Sequence, residues 1–445
     1  MKRMHVILAV LAVVLAWSGL DAQPTYHIVR IPGLGGLDTR PRAINDQGIV
    51  VGSATLAGER ETRGFFFDGS TTTPLSGLTP AAASVANGLN ENGDIVGQSI
   101  DLVSLTTAPV LWRGDELIDL TADLRSDGGT ALDINDAGVV VGMAAVGTPF
   151  AKGFIWDVES GGQIIGTLEG RNGGANRSIN NAGVVVGDSF YFGDPGQAHR
   201  VIPCEEGYET RAIGAPPPAS GVAWSINNDG LIVGMAAPRF APSTAVIFTP
   251  DAEEPLINLG TLRDAISSAA FGVNDAGDIV GSSGDHPEWV SGHAFAVFDR
   301  TMYDLNDLID DADDEWAVLI EATDINNRRE IVGWGETRDG QTSAFLLLPV
   351  SNPPSPFTRG DANADGFTDI SDAIFILSFL FLGTEEVPCE QAANTNDEGV
   401  VEISDAVFLL NYLFLGGKAP NEPFQSCGVD PMPDGLTCKS FAECP

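Results

Sequence analysis

The chain has 445 residues, with 61 Asp and Glu against 23 Lys and Arg, for a formal net charge of −38 at pH 7. Its length exceeds one ordinary domain, and an apolar share of 43% is ample for a sizeable core. So large an excess of carboxylates argues against nucleic acid or an anionic membrane as partner, and favours cations and a soluble, self-repelling surface.

Lys2 and Arg3 precede an apolar run from Val6 to Trp17, and small Ala22 stands before Gln23. This is the pattern of a secretory signal, so residues 1–22 are expected to be cleaved and the mature chain to be secreted and extracellular, by a bacterial-type route. The other long apolar stretch, Ala373 to Leu382, is about half the length that spans a bilayer, so no membrane insertion is expected.

From 23 to 349 the chain repeats one phrase: an apolar residue, Asn, a small polar pair, usually Gly, an apolar run, then Gly. The Asn stands at 45, 90, 135, 180, 227, 274 and 326, and a Gly follows seven residues later at 52, 97, 142, 187, 234, 281 and 333. Units of about 45 residues with four short strands each predict a seven-bladed β-propeller, a mainly β fold. Each unit reads in the same way. A first strand ends at Ile-Asn, as in Ala131 to Asn135, and Asn-Asp-Ala-Gly supplies the residues that tolerate positive φ in a hairpin turn. The second strand is the run Val139 to Val141, the third is aromatic, as in Phe154-Ile155-Trp156, and the fourth resembles Leu117 to Leu120.

Before the first complete unit, Tyr26 to Leu34 reads as a lone strand of the closing type, and the seventh unit, ending near Leu348, lacks one. The N-terminal strand is therefore expected to complete the last blade and so remove exposed edges. Two units depart from the pattern and are expected to be loosely formed there. Ala198 to Ile202 replaces the aromatic strand of the fourth, and Arg329 replaces the turn Gly of the seventh.

This region resembles the HAF family of extracellular repeats, whose eponymous tripeptide stands here as His293-Ala294-Phe295. The resemblance covers about residues 25–349 and implies an extracellular propeller-like domain, with no chemistry to carry over. The residue after each repeated Asn is acidic in four units of seven, so a turn role explains the set better than a metal ring. Trp289 and Trp334, outside the strand positions, are the candidates for stacking on a glycan. The histidines beyond the signal, His27, His199, His286 and His293, lie in no Ser or Cys nucleophile motif, so a binding protein is expected rather than an enzyme.

Pro353, Pro354 and Pro356 mark residues 350–357 as a stiff linker. Asp361, Asn363, Asp365, Asp369 and Asp372 then place oxygen ligands at positions 1, 3, 5, 9 and 12 of a twelve-residue loop, with Gly366 at the sharp turn and the Phe367 carbonyl at position 7. Calcium wants six to eight oxygens, and this spacing wraps them around it. Thirty-three residues on, Asn394, Asn396, Glu398, Val400 (by its carbonyl), Glu402 and Asp405 repeat the set, and each loop runs into an apolar, helix-like segment, Ala373 to Leu382 and Ala406 to Leu415. Asn394 and Glu398 remove charge and add bulk, so the second Ca2+ site is expected to be the weaker. Phe375, Phe379, Phe381, Phe408 and Phe414 are too many to hide in a two-helix unit, which points to a partner surface.

A duplicated, Asp-ended calcium loop, each followed by one helix, resembles a type I dockerin over residues 358–420. The resemblance implies two calcium ions, held by the residues just named, and calcium-dependent docking to a cohesin-like extracellular protein. Positions 10 and 11 read Ile370-Ser371 and Ile403-Ser404, where cellulosomal dockerins carry Ser-Thr. The expectation is thus a propeller recognition domain attached through a dockerin-like module to another extracellular component. The alternative is a polysaccharide-degrading enzyme or accessory protein of such a system. In the tail, 421–445, Cys427, Cys438 and Cys444 join Cys389 in two expected disulfides, Cys389 with Cys427 and Cys438 with Cys444, while Cys204 is expected to be a buried structural thiol.

Overall fold

The computed structural model describes residues 24–445 except 59–60, 148–149, 192–193, 206, 215–218, 239–240, 251–255, 264, 286–291, 310–314, 351–355, 383–386, 431–435, 437, 439–440, 442–443 and 445. The signal segment 1–22, most of the linker, Trp289 and His286 lie outside the described residues. Pro24–Pro349 forms one compact unit, and Val350–Pro445 belongs to a second.

The larger unit is mainly β and propeller-like, with only the short helical turns Thr121–Leu124 and Leu305–Asp307 among its described residues. Its sheets are five of four strands and one of eight, each four built as a sequential antiparallel meander. Gly128–Ile134, Val140–Ala145, Ala151–Asp157 and Gly161–Ile164 are one such set. The eight-stranded sheet is two sets of four joined by a single parallel bridge, Asp38 with Thr342. In one of those sets the strand Tyr26–Ile31 pairs antiparallel with Thr342–Pro349, from Tyr26 opposite Pro349 to Ile31 opposite Ala344. The strand Tyr26–Ile31 thus covers the last strand of the larger unit, as the sequence led one to expect.

The repeated phrase explains itself in the backbone. Asn90 closes the turn to Gly93, and its Oδ1 accepts from the N–H of Asn92 and of Asp94. The turn Gly takes φ near +80° in six units, and Arg329 holds the same left-handed geometry at φ 60° in the seventh. The later Gly answers a different need. The first strand bulges in every unit between the fourth and second residues before the Asn, which drives its backbone against the second strand. A Cβ on Gly187 would stand 1.9 Å from the Ala175 carbonyl oxygen, and one on Gly333 2.1 Å from that of Glu321.

Neither departure from the repeat is loose at the residues that carry it. Asp194–Cys204 is a long strand, and His199 is fully buried in it, bonded to Ser189 Oγ at 2.9 Å and Asn176 Oδ1 at 3.1 Å. Polar partners replace the aromatic packing there. Arg329 sends Nε to Asp278 Oδ2 at 2.8 Å, so its side chain ties the seventh turn to the sixth unit. Cys204 is free and exposed at the end of its strand, contrary to the expectation of burial.

In the smaller unit, helices Ile370–Leu382 and Ile403–Leu415 pack through Ala373, Ile376, Ala406 and Leu409. The disulfides are Cys389–Cys438 and Cys427–Cys444, not the pairing expected from sequence order. Two short bridges decide it, since Cys389 lies directly opposite Cys438 and Phe357 opposite Gly428, next to Cys427. Among the described residues no helix is long and apolar enough to cross a membrane.

Candidate functional site

Three places collect functional chemistry: the turn ring of the larger unit, a cavity beyond it, and the paired loops of the smaller unit. At the turn ring, each repeated Asn donates through Nδ2 to the carbonyl of the next, from Asn45 to Asn90 (3.2 Å) onward to Asn274 and Asn326 (3.1 Å). Asn326 then donates to the Asn45 carbonyl at 3.0 Å, so the chain of bonds closes on itself. A second closed chain runs alongside it. The backbone N–H of Asp46 donates to the Glu91 carboxylate, and so on around to Asn327, whose N–H donates to Asp46 Oδ1 at 2.8 Å. The residues after the Asn are therefore staples between neighbouring units as well as turn residues.

The bulge aims one residue per unit inward. These are Arg42, Asn87, Leu132, Arg177, Trp224, Phe271 and Thr323, each three residues before its Asn, and all seven line one cavity of about 380 Å³ together with Arg40, Glu321 and Trp334. Trp334 lies within the strand Ile331–Thr337 and is half-buried, which corrects its placement outside the strands. Its Nε1 donates to Glu321 Oε1 at 3.1 Å, and the Arg40 guanidinium lies 4.2 Å over its ring. Arg177 covers Trp224 at 4.0 Å and pairs with Asp188 at 2.6 Å. Burial raises the Glu321 carboxyl above the usual range, opposed by its bond from Trp334 and by Arg40 and Arg42. Enclosure likewise pushes the Arg42 guanidinium down, opposed by Glu321. The sequence reading missed this set. Its signal was a position of the repeat that changes chemical class from unit to unit beside invariant Asn and Gly.

One residue after the bulge position begins the wall of the turn ring. There Asp133 and Asp324 accept from the backbone N–H of Ile179 and Ile44. Burial is the first cause that pushes their carboxyls up, to about 6 and about 7, and the charge of Asp133 adds to the rise at Asp324.

In the smaller unit the sequence-predicted ligands are brought together in two matching loops. Asp372 accepts from the N–H of Asn363 (3.2 Å) and of Asp369 (2.9 Å), and Asp405 accepts from those of Asn396 (3.2 Å) and Glu402 (2.8 Å). Asn363 reaches Asp365 and Ser371, and Asn396 reaches Glu398 and Ser404, so the pattern recurs residue for residue. Asp361 accepts from Asp365 and Gly366, while Asn394, its counterpart, accepts from Glu398. Phe367 and Val400 stand at their loops' seventh positions with exposed side chains.

The donor set of the first loop fits a hard divalent cation. Asp361 and Asp372 are 1% and 0% exposed, and among the described residues no Lys, Arg or His pairs with Asp361, Asp365, Asp369 or Asp372. Burial pushes Asp372 up to about 6, with Asp361 and Asp365 adding to the rise. Buried carboxylates without a cation are unfavourable, and an ion would relieve them. As the loops stand, no group of three or more His, Cys, Asp or Glu among the described residues is arranged to hold a metal, because the carboxylates turn onto loop N–H groups instead. The second loop differs in having a protein cation at hand. Buried Arg359 meets Asp397 at 2.9 Å and donates to the Asn394 carbonyl at 2.9 Å.

No family model and no curated protein matches the chain. Among solved structures it is similar to a puromycin hydrolase mutant complexed with PGG, with a TM-score of 0.50, 12% identity, and coverage of 73% of this chain and 57% of that one. It is also similar to a puromycin-hydrolyzing peptidase from Mycobacterium tuberculosis (TM-score 0.49, 10% identity, 74% and 55% covered). A third is TolB from Acinetobacter baumannii (TM-score 0.39, 13% identity, 57% and 62% covered). The chain thus spans less than two thirds of each of these, and at such identity the likeness concerns the fold alone.

Proposed function

We propose that the protein is a secreted, calcium-binding attachment protein, in which a seven-bladed β-propeller serves as a recognition domain and a dockerin-like module joins it to a cohesin-like extracellular protein. Two closed chains of hydrogen bonds, each visiting all seven repeats, support seven blades around one axis. The two disulfides are compatible with an oxidising extracellular setting.

The observation that carries the reading is one exposed apolar face present twice. Ile370, Ile374, Phe381 and Leu382 recur 33 residues on as Ile403, Val407, Phe414 and Leu415, all exposed, with Phe381 at 67% and Phe414 at 64%. Each set begins in the last residues of its own calcium loop and continues along the helix, so an ion that orders the loop also fixes the helix bearing the face. Large exposed apolar patches of this kind mark partner surfaces.

Calorimetric titration of the full chain with calcium is expected to give one tight and one weaker event, with the tight one absent in a D361N/D372N variant. The chain should capture a cohesin-like protein in calcium but not in chelator, and F381D with F414D together should abolish capture. Capture unaffected by chelator would overturn the reading.

A further inference from the structure

The cavity beyond the turn ring holds an arginine to which no described side chain is hydrogen-bonded or ion-paired. Of its three arginines, Arg40 pairs with Asp38 at 3.0 Å and Arg177 with Asp188 at 2.6 Å. Arg42 makes no hydrogen bond or ion pair with any described residue, and Glu321, the acid whose charge acts on it, is already bonded to Trp334. Arg42 is exposed, so solvent reaches it, yet enclosure by the cavity wall is the first influence on it. In a chain with 38 more negative than positive charges, an unpaired guanidinium on the axis is a selective feature rather than an average one.

The wall around it is aromatic. Trp224 and Phe271 stand in adjacent units with ring centroids 5.6 Å apart, and Trp334 lies across the same cavity. The Trp224 Nε1 is buried without an acceptor, a second polar group left unanswered at this place. Flat apolar faces with a convergent cation suit a ring compound that carries one carboxylate. The volume, about 380 Å³, is of the size that holds a small ligand.

We infer that this axial cavity binds an acidic sugar of the hexuronic class, with its carboxylate on Arg42 and a ring face against the aromatic wall. The inference deepens the reading of the propeller as a recognition domain by naming its ligand class. It does not depend on docking through the smaller unit, because the two are measured separately.

The test uses the full chain in calcium, with glucuronic and galacturonic acids and their dimers as probes, followed by calorimetry and tryptophan fluorescence. Glucose, galactose and inorganic sulfate are the controls. Saturable binding of a uronate is expected, with neutral sugars at least tenfold weaker and sulfate producing no change in tryptophan emission. Arg42→Ala should weaken uronate binding at least tenfold, and Arg42→Lys should recover part of it, while both variants keep the parent's melting temperature and calcium titration. Failure of every uronate to bind, equal binding of neutral sugars, or unchanged binding in Arg42→Ala would each overturn the inference. Loss of capture by the smaller unit with uronate binding intact would count against the attachment reading alone.

Discussion

At the residue scale, a short list of side chains does several jobs at once. Asn90 closes its own turn through Oδ1 and reaches the next unit through Nδ2, so it makes three bonds while 4% exposed. Truncation would leave two backbone N–H groups and a carbonyl short of partners, and Asn90→Ala should cost roughly 2–4 kcal/mol in equilibrium denaturation. His199 makes a pH prediction with a definite sign. Burial, and then Arg177, push its imidazole down to about 3, well below the ordinary value. Between those values the unfolded chain takes up the proton and the folded one does not, so this residue's contribution to stability is full above the ordinary value and is lost as pH falls toward about 3. His199→Gln should show a smaller drop in melting temperature than the parent between pH 7 and pH 4; equal drops would show that other groups govern acid stability.

At the scale of elements, the bulge is what turns a repeat into a site. A regular first strand would send the residue three before the Asn to the alternate face, whereas the inserted residue faces the cavity in all seven units. The same bulge requires the Gly at the facing position, so structural constraint and binding position arise from one irregularity. In the smaller unit the comparable device is Arg359, fully buried between Asp397 and Asp430. Its removal would take the cation from two enclosed carboxylates, with Asp397 keeping its bond from Asn421. Arg359→Ala should therefore destabilise the smaller unit by roughly 3–5 kcal/mol in equilibrium denaturation. Because Arg359 also holds the Asn394 carbonyl, the proposed weaker calcium event should weaken further in this variant while the proposed tight one is retained, as titration calorimetry can separate.

For the molecule as a whole, closure matters more than any single sheet. The strand Tyr26–Ile31 covers an edge formed some 300 residues later in the sequence, and the Tyr26 N–H also reaches the Leu308 carbonyl. Deleting residues 24–32 would bare the strand Thr342–Pro349, with its row of unpaired backbone groups. The deleted form should melt at lower temperature and associate in a concentration-dependent way on size-exclusion chromatography. An unchanged, monomeric profile would show that the hydrogen-bonded turn ring alone holds the circle.

What the sequence determined by itself was whatever repeats at fixed spacing. The turn chemistry at Asn, the seven-fold recurrence, the closing role of Tyr26 to Ile31 and the matched loop residues from Asp361 and Asn394 onward were all legible, because local backbone geometry selects those residue types. What only the tertiary structure decided was whatever depends on residues far apart in the chain. The cysteine pairing follows a bridge between Cys389 and Cys438, and no spacing encodes it. The cavity is assembled from one variable residue in each unit. Arg42, Trp224 and Phe271 share a wall only because a bulge turns each of them inward and the ring brings the units together.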